Sequence, residues 1–171
     1  MATGVAGMSD AQRPGRSVGW RAITLALLSV CMFAAGSAAA ATLSPAEKTF
    51  KTAYVKLVPS LNRASSAVVH AVDGSAKDTD AKVVTIFGGV AREWASATNP
   101  LIALYAPAPE AKIFAAVLRD ARAVETDLVA IVKSGRTHSV KLAKAAGTLL
   151  ALNFNALAAE VKQMKTKLGL P

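Results

Sequence analysis

Four consecutive stretches downstream of Thr42 repeat apolar residues at alternating steps of four and three, a spacing that leaves few folds open. Phe50, Tyr54, Leu57, Leu61, Ala64, Val68 and Ala71 make the first series. Val83, Phe87, Val90, Trp94 and Ala97 make the second, with Leu101, Leu104 and Tyr105 continuing its phase. Phe114, Val117, Ala121, Val124, Leu128 and Ile131 make the third. Val140, Ala143, Gly147, Leu150, Phe154, Leu157, Val161, Met164 and Leu168 make the fourth. Residues so spaced share one face of a helix, and that face has to be hidden from water. Strand alternation is nowhere visible. Each stretch allows about 40 Å of helix at about 1.5 Å per residue, and the connections are short. The expected fold is therefore all-α, an up-down-up-down four-helix bundle over residues 42–171.

The boundaries carry their own chemistry. Ser44-Pro45-Ala46-Glu47 joins an N-cap serine, a proline at the first helical position and a glutamate that closes a capping box. Asp73-Gly74 ends the first stretch, the second opens near Asp78, and Pro107-Ala108-Pro109 separates the second from the third. Ser134-Gly135 is expected to close the third, and the fourth follows Thr137. Pro59 and Pro100 lie inside helical stretches, opposite the apolar stripes, so an outward bend is expected at each. At Asn99-Pro100 a short separate helix is the alternative. Gly88-Gly89 is either a close approach of a neighbouring backbone or a flexible point.

Residues 1–41 read as a signal segment. Arg13, Arg16 and Arg21 face only Asp10, Ala22 to Ala35 is an apolar block, Gly36 and Ser37 break it, and Ala38 to Ala41 follow. These are the ordered parts of a secretory leader, with a cut after Ala40 or Ala41. An uncleaved anchor is the rival, since residues 22–41 just reach the roughly 20 residues a spanning helix needs. Leu28-Ser29-Val30-Cys31 resembles a bacterial lipobox but departs at Val30, and apolar sequence runs on past Cys31. The cysteine reads better as a small hydrophobe within the apolar block. The expected location is outside the cytoplasm: periplasm, cell envelope or extracellular space. Without Cys31 the domain has no cysteine, which excludes disulfides, thiolate zinc sites, c-type haem attachment and cysteine nucleophiles.

The chain carries a net charge of +9, and most of the excess gathers late. From Lys133 onward, Lys133, Arg136, Lys141, Lys144, Lys162, Lys165 and Lys167 face Glu160 alone. Such a field favours an anionic membrane surface or envelope polymer. Nucleic acid is not an expected partner, because no basic stripe is interleaved with aromatics. Lys141, Lys144, Lys162 and Lys165 are the expected surface contacts.

Sites of chemistry are sparse. There is no Glu-x-x-His pair for a bundle metal site, no metal or cofactor is expected, and His70 and His138 read as exposed and unrelated. Met164 sits too far from either histidine for haem ligation. Glu125 shares the arc of Phe114, Leu118, Ala121 and Val132, Asn153 lies in the apolar arc of the fourth stretch, and Asp127 points away from Glu125's face. Glu125 and Asn153 are thus the candidate lining of a polar pocket, which would make the protein a carrier of a small apolar or haem-like ligand. The rival reading has Asn153 fixing helix register. No nucleophile–base set and no phosphate loop can be assembled, so a non-catalytic binding or scaffolding role is expected. Leu152 faces well away from its stripe, which makes the fourth helix a candidate oligomer contact.

Overall fold

The computed structural model describes residues 43–75 and 78–171. The readings on residues 1–41, Cys31 among them, lie outside the described residues. Four helices make the fold: α1 (Pro45–Gly74), α2 (Asp80–Ile102), α3 (Ala108–Arg136) and α4 (Val140–Lys167). They form an all-α, up-down-up-down bundle. Neighbours in sequence are neighbours in space, with α3 against α4 the most extensive contact, then α2 against α3, then α1 against α2. On α4 the buried residues include Ala143, Ala146, Gly147 and Ala151, small enough to let two backbones come close.

The stripes meet in two clusters that share the half-buried Leu61. The larger includes Ala64, Val68, Val83, Phe87, Trp94, Val124, Leu128, Leu150 and Phe154. The smaller joins Phe50, Tyr54, Leu101, Phe114, Met164 and Leu168. Trp94 is fully buried, and its indole Nε1 donates to the carbonyl of Ala121 on α3 at 2.9 Å, so the polar edge of the largest core side chain is satisfied. Burial also pushes the Tyr54 hydroxyl pKa up to about 12. We call the end where α1 begins and α4 finishes the entry pole, because the chain enters the bundle there.

The termini follow the expected chemistry in three places and depart from it in two. Ser44 and Glu47 form the capping box at α1, Thr79 caps α2 and Ser139 caps α4. Gly135, expected to stop α3, instead lies buried within it. A Cβ there would stand 2.8 Å from Val84 Cγ2 and 3.1 Å from the Asp80 carbonyl, so this glycine admits the start of α2. The stop is His138, at φ 51°, with Ser139 N donating to Ser134 O at 3.0 Å, the closing bond of a Schellman turn that usually has glycine in that place. The second departure is Tyr105, which does not continue the α2 stripe. The helix ends at Ile102 and Tyr105 is 90% exposed in the connection leading to Pro107, since a residue close before proline is pushed out of the helical region. α1 and α2 run through Pro59 and Pro100 unbroken. Val55 and Ser96, whose carbonyls those prolines leave unserved within the helix, are exposed residues.

Candidate functional site

The α3–α4 seam holds the buried polar groups, but not the pair the periodicity singles out. Asn153 Nδ2 donates to Asp127 Oδ2 at 2.7 Å, and Asp127 is 5% exposed while Glu125 is half-buried. The carboxylate that Asn153 meets is therefore Asp127, on the face opposite the one Glu125 occupies. One heptad earlier, Asp120 is also buried and accepts from Arg119 Nε at 2.6 Å, with its Oδ2 unpartnered. Burial raises the pKa of Asp127, and the Asn153 hydrogen bond partly opposes the rise. Beside Asn153 the interior is filled by Leu150 and Phe154. The side-chain amide bound to this buried carboxylate links α3 to α4.

Each pole of the bundle carries a second kind of polar cluster. At the far pole His138 Nδ1 lies 2.6 Å from Asp80 Oδ2, tying the α3–α4 turn to the first turn of α2; His70 is simply exposed. At the entry pole Glu110 of α3 is 1% exposed and close to Glu47 of α1. Burial is the main reason the Glu110 pKa is raised, followed by the Glu47 charge, with Lys167 pulling the other way. Glu47 is held below the ordinary value by its bonds to Ser44. Lys167 Nζ donates to the carbonyl of Pro109, and Lys51 Nζ donates to that of Gly169 at 3.3 Å. Side chains from α1, α3 and α4 thus clasp this end together.

Four of the five lysines of α4 fall into two pairs, with Lys167 as its last residue. Lys141, Lys144 and Lys162 are exposed and Lys165 is half-buried. Lys144 and Lys162 stand about 27 Å apart along the axis, 18 residues at about 1.5 Å each. Between the pairs the outward face of α4 carries Leu149 and Leu152, 49% and 60% exposed. By length and hydropathy α4 is able to cross a membrane, although its main stripe is buried in the bundle. The Lys162–Lys165 pair lies at the entry pole. There an open groove runs along α1, lined by Leu43, Lys48, Lys51, Thr52, Val55 and Lys56. The sequence reading passed over these lysines because it followed the charge excess of the last segment. The usable signal was the spacing: Lys48, Lys51, Thr52, Val55 and Lys56 recur at three and four, on the side of α1 away from its stripe.

Among the described residues no three His, Cys, Asp or Glu side chains converge to hold a metal ion. No family model, curated protein or solved structure matches the chain.

Proposed function

We propose that the protein is an exported, non-catalytic binding or scaffolding module of the cell envelope, docking on an anionic surface through its basic fourth helix. The observation that carries this reading is the outward set Lys141, Lys144 and Lys162 on α4, continued by Lys165, with no acid interleaved on the sequence before Glu160. Two cationic pairs at the ends of one rigid helix suit an extended anionic surface better than a small anion. The buried acids speak for structure rather than catalysis: Asp127 is engaged by Asn153 and Asp120 by Arg119.

Binding of the purified chain to vesicles rich in anionic lipid should weaken steeply between low and physiological salt. The Lys141→Gln, Lys144→Gln, Lys162→Gln, Lys165→Gln variant should bind about 600-fold more weakly, at roughly fivefold per lysine held near the surface. Unchanged binding in that variant would remove α4 as the contact.

A further inference from the structure

From the groove on α1 we infer that the lysines along this helix near the entry pole make a second contact with an anionic lipid bilayer, with Lys48, Lys51 and Lys56 contacting headgroup phosphates. The inference rests on the reading of the protein as an anionic-surface binder, and it names a contact that α4 does not supply.

Three observations support it. The groove lining is three lysines, one threonine, one valine and one leucine, without an acid. Lys48 and Lys56 are exposed and Lys51 is half-buried, its ammonium near the Gly169 carbonyl. All three fall within nine residues, about 12 Å of helix, on a patch the size of a few headgroups. Second, the groove does not stand alone. α4 finishes at the same pole and brings Lys162 and Lys165 there, while Lys167 is held on the Pro109 carbonyl. Of the acids near this pole, Glu47 is bound to the Ser44 cap, Glu110 is buried, and Glu160 is half-buried two residues before Lys162.

Third, Val55 is 42% exposed in the middle of the lysines. An apolar side chain ringed by ammonium groups matches the boundary between headgroup and acyl chain, whereas a hydrated polymer offers nothing to cover it.

The test compares three forms of the full chain: unsubstituted, the α1 variant K48Q/K51Q/K56Q, and the α4 variant K141Q/K144Q/K162Q/K165Q. Each is titrated with anionic and with zwitterionic vesicles, and the ratio of the two affinities is read, so that any contribution of the leader is common to all. The α1 variant should lose about 100-fold of that ratio, at roughly fivefold per lysine. K48Q/K56Q, which leaves the Lys51–Gly169 bond in place, should lose about 25-fold and guards against a folding defect in the triple variant. A ratio in the α1 variants within twofold of the unsubstituted chain, with a loss in the α4 variant, overturns the inference and leaves the proposed function standing. No preference of the unsubstituted chain for anionic vesicles overturns both. Soluble polyglutamate that competes as well as vesicles of equal total charge overturns the bilayer in favour of an acidic polymer.

Discussion

Glu110 shows how much one side chain can set at the end of a bundle. Its carboxyl is sealed from water against Glu47, with Oε2 unpartnered by any donor, so the neutral acid, which can share its proton with Glu47, is favoured when folded. A carboxyl whose folded pKa lies above the ordinary value of 4.5 supports the fold fully below that value, and this support is lost as the pH rises through the raised one. Asp127 acts with the same sign, and Glu47, whose pKa is lowered, with the opposite sign. The Glu110 contribution to thermal stability should therefore be lost as the pH rises above 4.5, and Glu110→Gln should remove that part of the fall by stabilising the chain at higher pH. Equal slopes in the two proteins, measured by circular dichroism melts, would show that Glu110 is ionised without cost. None of this pairing was legible in the sequence. Glu110 stands three residues into a proline-led helix start, where an acid reads as a dipole partner, and only the meeting of α1, α3 and α4 ends sets it against a second acid.

At the scale of the helix the sequence was far more explicit. Every residue of the α2 and α3 stripes from Val83 to Ala97 and from Phe114 to Ile131 is buried, as are Phe50, Tyr54, Ala64, Val68 and Ala71 of α1. Val140 departs, at 42% exposed, because it is the first residue of α4 and the bundle is open around it. What periodicity cannot give is the azimuth of a helix between two neighbours. α3 buries a broader arc than its apolar stripe, so the two acids on the α4 side, Asp120 and Asp127, are covered and Glu125 is only half-covered. The two readings of Gly88-Gly89 can be separated on the same basis. A Cβ at Gly88 would come no closer than 4.0 Å to the Arg92 guanidinium, and at Gly89 it would meet nothing within 4 Å. No backbone demands glycine there. Gly88→Ala and Gly89→Ala should each stabilise the protein by about 0.5 to 1 kcal/mol, the usual penalty of glycine inside a helix, measured by urea denaturation. A loss of stability in either variant would mean that α2 uses its freedom at that point.

The whole molecule raises a question of cooperativity, because its core is two clusters rather than one. All four helices contribute to both, and Leu61 packs against each, so no helix end can leave without disturbing the other half. The clasps at the two poles act in the same direction, Asp80–His138 at the far end and Lys51–Gly169 with Lys167–Pro109 at the entry pole. They join elements distant in sequence, and such contacts are lost together when the bundle opens. Unfolding in urea should therefore be a single two-state transition. Trp94 sits in the larger cluster and reports on it alone once Trp20 is replaced, whereas far-ultraviolet circular dichroism reports all four helices. In a Trp20→Phe background the two midpoints should coincide. An earlier midpoint by dichroism than by Trp94 fluorescence would mean that the entry pole, with Phe50, Tyr54, Phe114 and Met164, opens first and alone. The lysines would then ride on a locally labile end, able to reshape when that pole meets a surface.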